Sequence, residues 1–168
     1  MSKRYGFDIR GVIIRCPRNE DEDDPFLLQE PEDYLRAPAI VHAFDVLRLL
    51  VNQHGDDNVF LISRCFDERT EKKTRHWLDY HDFHTSTTVR RDQVYFCRER
   101  QGKADICKKF GITHFVDDRL EVLSHLTTVG TRYLFQPRPE EVRMFIQHLS
   151  KVKQVNSWHE ILQLDLSR

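Results

Sequence analysis

The sequence predicts an α/β protein: one domain over residues 1–168, built as a three-layer α/β/α sandwich on a mostly parallel central sheet. Three observations carry this expectation. Short apolar runs rich in Val, Ile, Phe and Tyr take turns with helix-period segments along the whole chain. The runs are continuous rather than alternating in polarity, as in strands buried on both faces. Several end in an acid or a hydroxyl, and a parallel sheet gathers those ends along one edge.

The first run is Arg4-Tyr5-Gly6-Phe7-Asp8-Ile9-Arg10-Gly11-Val12-Ile13-Ile14, a strand that delivers Asp8 to the sheet edge. Residues 12–38 form an acidic flap or loop, and the run Glu20-Asp21-Glu22-Asp23-Asp24 is expected to be solvated. Apolar positions Ile40, Val41, Phe44, Val46, Leu47, Leu49 and Leu50 trace a helical face that Gly55 ends. A second strand covers 58–63 and ends at Ser63. A helix opened by Asp67 or Glu68 runs through Trp77 to Tyr80, and 85–88 is a polar connection. Residues 93–97 form a third strand, and 103–110 a helix with Gly111 as its C′ residue. The fourth strand, 113–118, ends in Asp117-Asp118, followed by a helix around 119–126. A fifth strand spans 131–135. Pro139 starts a helix to about Leu149, then 152–155 is β-like and 158–164 closes the chain as a helix.

Composition narrows the function classes. A chain of 168 residues with 39% hydrophobic side chains can bury a substantial core. A net charge of -1 supplies no global field for nucleic acid or anionic lipid. No apolar run approaches membrane-spanning length, and Asp8 and Arg10 interrupt any signal-peptide core, so a cytosolic location is expected. The four cysteines have no paired metal spacing and read as small hydrophobes, with Trp77 and Trp158 as core residues. His76, His81 and His84 take surface or packing roles. Arg90, Arg91, Arg98 and Arg100 form a basic patch, either a solvated face or a phosphate-steering rim.

The strand ends hold an acid nucleophile, a hydroxyl, a cation and a further acid pair. A carboxylate can attack phosphorus, a hydroxyl and an ammonium can hold phosphate oxygens, and further carboxylates suit Mg²⁺. This set resembles the haloacid dehalogenase (HAD)-like superfamily, with its Rossmann-like sandwich. Phe7-Asp8-Ile9-Arg10-Gly11-Val12 is similar to the first motif, and Val59 to Ser63 to the second. Lys103 after Gly102 is similar to the third, and Phe115-Val116-Asp117-Asp118 to the fourth. The resemblance implies Asp8 as nucleophile and phosphate binding by Ser63, Arg64 and Lys103. It also implies a Mg²⁺ site of Asp8, the Arg10 carbonyl, Asp117 and Asp118. Neither 12–38 nor 64–102 has room for a cap domain, so a capless member is expected. Its substrate would be a phosphorylated small molecule or a macromolecular phosphoester.

One position departs from the family pattern. Arg10 stands where the family has the acid that protonates the leaving group and activates water. A guanidinium stays charged and cannot do this. General acid–base help contributes ~10²–10⁴-fold, so phosphatase turnover is expected to be weak or lost. Arg10 is expected to point towards Asp8 or the metal site. Two alternatives stand beside this reading: a non-catalytic module that binds a phosphorylated ligand or a protein, and a metal-free dehalogenase-type hydrolase with Arg10 as anion binder.

Overall fold

The computed structural model describes residues 2–17, 24–27 and 32–167. Six strands form one sheet: β1 (Tyr5–Phe7), β2 (Val59–Arg64), β3 (Val94–Cys97), β4 (His114–Asp117), β5 (Thr131–Phe135) and β6 (Lys153–Val155). Their order is β3-β2-β1-β4-β5-β6, and every neighbouring pair is parallel. This is the doubly wound, Rossmann-like α/β arrangement, and its winding reverses between β1 and β4. The predicted fold class holds, with no separate cap domain among the described residues.

Strand periodicity divides the core in two. Phe7, Leu61, Val116, Tyr133 and Phe135 face one layer, packed with α1 (Ala43–His54), α2 (Glu68–Tyr80), α3 (Phe83–Thr87) and α7 (Trp158–Leu166). Phe60, Ile62, Phe115 and Leu134 face the other. There they meet Cys107 of α4 (Gly102–Phe110), Leu120 and Leu123 of α5 (Leu120–His125), and Val142 of α6 (Pro139–Met144). Trp77 and Trp158 are fully buried, as expected. Each indole N–H donates to a carbonyl, of Ala37 at 2.8 Å and of Val12 at 2.9 Å, so neither ring leaves a buried donor unmet. No helix among the described residues is long and apolar enough to cross a membrane.

Several expectations need correction. The first strand stops at Phe7; Ile9–Ile14 is a tight turn in which the Ile9 carbonyl takes the amides of Ile13 and Ile14 at 2.8 and 2.9 Å. The helix expected from Ala39 begins at Ala43, and Val41 and Leu49 point to solvent. The stretch taken as a polar connection holds α3, whose Thr87 hydroxyl donates back to the Phe83 carbonyl at 2.8 Å. The helix from Pro139 breaks at Phe145 and continues as a 3₁₀ segment, Ile146–Lys151. Residues 20–23 of the acidic run lie outside the described residues, but Asp24 is half-buried and ion-paired rather than solvated.

At the edge opposite the strand ends, α7 is tied to the start of the sheet. The buried Asp165 carboxylate accepts from Lys3 Nζ at 2.6 Å and the Tyr5 hydroxyl at 2.5 Å, and meets His54 Nε2 at 2.9 Å. Nothing in the hydrophobic pattern of 158–164 pointed to this acid.

Candidate carboxylate–lysine site

Winding reversal leaves a crevice beyond the carboxyl ends of β1 and β4, where ligands of such sheets bind. Asp8 follows β1, Ser63 lies near the end of β2, and Asp117 ends β4. Lys103, in the first turn of α4, enters from the side. Gly102 permits this: a Cβ there would meet Cys97 Cβ at 2.7 Å, so only glycine lets α4 start this close to β3.

The four side chains meet. Ser63 Oγ donates to Asp8 Oδ1 at 2.8 Å. Lys103 Nζ lies 2.9 Å from the same Oδ1 and 2.7 Å from Asp117 Oδ2. Asp117 Oδ1 accepts the Arg119 amide at 3.0 Å, which fixes its rotamer. Asp118 sits against Gly11, whose φ of 89° places its Cα over the carboxylate with no room for a Cβ. Candidate ligand oxygens of Asp8, Asp117 and Asp118 lie within 4.8 Å of one another.

Charge in this crevice does not balance. Burial by itself would lower the Lys103 pKa, but Asp117 and Asp8 more than offset it and hold the ammonium above its ordinary value. Burial pushes the Asp117 carboxyl up to about 6, against the pull of Lys103. Burial and then the neighbouring Asp117 raise Asp118 well above the usual carboxylate range, against the pull of Lys103 and Arg119. Three carboxylates thus face one ammonium. A hard divalent cation such as Mg²⁺ suits this donor set, because it takes oxygen ligands and supplies the missing positive charge.

Two results are expected from this imbalance. Asp118→Asn removes a carboxylate held against burial, so the metal-free protein at pH 8 should melt ~2–4 °C higher, the shift that about 1 kcal/mol produces in a domain of this size. The same variant should lose most of the stabilisation that Mg²⁺ gives the wild type; a lower melting point without metal would contradict this account. Mg²⁺ binding should also weaken as the pH falls through about 6, where Asp117 holds a proton that the ion must displace. Below that, each pH unit costs ~10-fold per displaced proton. Calorimetric titrations at pH 5 and 7.5 giving equal affinity would count against ligation by Asp117.

The other sequence candidates lie outside the cluster. Arg64 is exposed, and its Nε donates to the Arg98 carbonyl at 3.1 Å. The amides of the turn after β1 go to the Ile9 and Ile14 carbonyls, not to that of Arg10. The basic patch is neutralised: Arg98 pairs with Glu71 at 2.8 Å, Arg90 with Asp57 and Asp92, Arg91 with Asp79, and Arg100 with Glu121. This favours a solvated face over a steering rim. The histidines bind neighbours: His76 meets the Tyr34 hydroxyl at 2.6 Å, His81 the Leu35 carbonyl at 2.9 Å, and His84 the Val89 carbonyl at 2.8 Å.

Arg10 does not pair with Asp8. Its guanidinium forms an ion pair with Asp24 and lies 4.7 Å from the centroid of the Phe26 ring. The Asp24 carboxylate also accepts the Phe26 amide at 3.0 Å, and Lys73 of α2 donates to the Phe26 carbonyl at 2.8 Å. A strap of residues 24–26 is thereby fastened between the turn after β1 and α2. Arg10 Nε is buried with no hydrogen-bond partner. Sequence reasoning missed Asp24 as a partner; the one available signal was an acid run in the segment that follows an unexpected arginine.

By fold and site this is a Rossmann-like α/β protein with an acid-lined crevice at its winding reversal. No family model matches the chain, and no curated protein matches it. Among solved structures it is similar to the solution NMR structure of a de novo designed Rossmann 3x3 fold protein. The identity is 12%, over 95% of this chain and 90% of that one, with a TM-score of 0.41.

Proposed function

We propose that this protein is a HAD-like phosphate-handling protein with a Mg²⁺ site, in which phosphomonoester hydrolysis is slow or lost. The observation that carries the proposal is the meeting of Asp8, Ser63, Lys103 and Asp117 within hydrogen-bond distance, from four separate elements. Both contacts to Asp8 use Oδ1, which leaves Oδ2 to attack phosphorus. As the bond to phosphorus forms, the bond to the leaving oxygen breaks and the phosphoryl group passes to Asp8. Ser63 and Lys103 would hold the phosphoryl oxygens and offset their charge. Mg²⁺ held by Asp8, Asp117 and Asp118 would supply further charge neutralisation. The leaving alkoxide needs a proton, and water must later be activated; Arg10 can do neither.

The Arg10–Asp24 pair favours a second reading, a module that binds a phosphorylated ligand without turning it over. The strap engages Arg10 at the position where an enzyme of this type would have an acid.

Hydrolysis of 4-nitrophenyl phosphate by wild type and Asp8→Asn, with and without Mg²⁺, tests the proposal. Slow, Mg²⁺-dependent turnover that disappears in Asp8→Asn is expected of the enzyme. Phosphate binding that strengthens with Mg²⁺, without turnover, is expected of the module. Turnover that survives in Asp8→Asn, or a wild type that binds neither Mg²⁺ nor phosphate, would sink both.

A further inference from the structure

Beside the carboxylate cluster, beyond the end of β5, lies a cavity of about 440 Å³. That falls within the ~300–1,000 Å³ of small-molecule clefts. Pro38, Ala39, Ile40 and Val41, consecutive and all apolar, line it. Gly11 and Asp118 belong to both the cavity and the crevice, whereas Asp8, Ser63 and Lys103 do not line it. The hollow therefore borders the phosphate position without containing it.

Backbone bonds hold the apolar wall in place. The Arg15 amide donates to the Pro38 carbonyl at 2.9 Å and the Ile40 amide to the Ile13 carbonyl at 2.7 Å, while Ala39 bridges Ile14. Residues 38–41 are thus registered on the same turn that carries Gly11. Ala39 and Ile40 are only half-buried and Val41 is 72% exposed, so apolar surface stays uncovered along this wall. His42 (φ 65°) and Gln136 (φ 41°) also line the cavity, in a region that non-glycine residues adopt at a cost. Such strain gathers where the shape of a site matters.

Charged groups at the wall are already engaged. Arg138 donates to the Pro17 carbonyl, and Arg15 has a partner within the protein. His42 Nδ1 lies 3.8 Å from the Asp45 carboxylate, and Asp118 belongs to the acid cluster of the crevice. A charged occupant would give up its hydration and find no free counter-charge. An uncharged apolar one would cover Ile40 and Val41 and lose little.

We propose that this cavity binds the organic portion of the phosphomonoester, and that this portion is apolar and uncharged. It lies along Pro38 to Val41 and joins its phosphate past Gly11. Assigning the occupant as a leaving group rests on the phosphate reading of the crevice, because Gly11 and Asp118 are what join the two spaces.

Three probes of one shape test the proposal: neutral 2-naphthol, anionic 2-naphthoate and cationic 2-naphthylmethylamine. Binding to the full chain is followed by calorimetry at pH 7.5. Saturable 2-naphthol binding is expected, with each charged analogue ~10-fold weaker or worse. Val41→Ser, at an exposed position, should weaken 2-naphthol ~5-fold by removing apolar contact. Adding Ile40→Ala should deepen that loss; if the double variant does not fold, Val41→Ser alone decides. Non-saturating 2-naphthol binding, a charged analogue that binds as tightly, or affinity unaltered by Val41→Ser overturns the proposal.

Asp8→Asn keeps this test apart from the phosphohydrolase reading, since it should abolish hydrolysis of 2-naphthyl phosphate yet retain 2-naphthol binding. Hydrolysis without 2-naphthol binding sinks the cavity proposal alone. Val41-dependent 2-naphthol binding in a protein that neither binds nor hydrolyses phosphate upholds the apolar cavity and removes the phosphate reading.

Discussion

Arg10→Asp alone should recover little turnover, while Arg10→Asp combined with Asp24→Asn should raise aryl phosphate hydrolysis by ~10²-fold, the lower end of what a general acid/base contributes. The reason lies in the strap. Replacing Arg10 by an acid places a carboxylate beside Asp24, removes the ion pair and takes the cation from the Phe26 ring. Two like charges in that half-buried place repel, and the new acid would turn away or hold a proton unsuited to its task. Asn at position 24 keeps the shape, relieves the repulsion and can still accept the Phe26 amide through its carbonyl. The assay compares wild type, both single variants, the double variant and the double variant with Asp8→Asn added. A gain confined to the double variant and lost with Asp8 supports a dormant phosphatase. A single Arg10→Asp variant that already reaches the full gain would show that Asp24 has no part in the block. Wild type faster than every variant would make Arg10 a working part of the site.

Lys103→Met should destabilise the protein by ~3–5 kcal/mol, the usual cost of leaving a buried charge without its partner. At the ~2–4 °C per kcal/mol expected of this size, the melting temperature would fall by roughly 6–20 °C. The methionine keeps the bulk, so the loss is electrostatic rather than a cavity effect. Its cause is the position of Nζ between Asp8 and Asp117, both of which would face each other uncompensated. Adding Asp8→Asn should recover part of the loss, and saturating Mg²⁺ should recover part of it in the single variant. A Lys103→Met protein that melts within 2 °C of wild type, by the ~2–4 °C scale, would show that the pairing carries little stability.

The sheet and its order of elements were legible because strand burial leaves continuous apolar runs, and the site because parallel strands end together. Asp8, Ser63, Lys103 and Asp117 could be placed at one edge from type and sequence order alone. Distance along the chain hid the rest. Arg10 meets an acid 14 residues away, which no local pattern encodes. Residues 8 and 10 would share a side only on a strand, whereas the strand ends at Phe7 and a turn re-aims the guanidinium. Val41 and Leu49 fit a helical apolar face but lie outside it, since helix phase is set by which side meets the sheet. The break at Phe145 follows a run with no proline or glycine, and nothing in its residues announced it.

The all-parallel sheet also governs how this chain comes together in time. No strand pairs with its neighbour through a hairpin, so each pairing must close a long loop, and folding is slow compared with that of local topologies. The central strand pays most, since Arg4 at its start bonds Thr113 across 109 positions. During synthesis Asp8 emerges first, Ser63 and Lys103 follow, and the acid pair of β4 comes last. If the segments dock in the order in which they emerge, the ammonium reaches the first strand before the second and third carboxylates do. Were the order reversed, three acids would converge before any cation arrived, and the docking of β4 on β1 would be opposed by their repulsion.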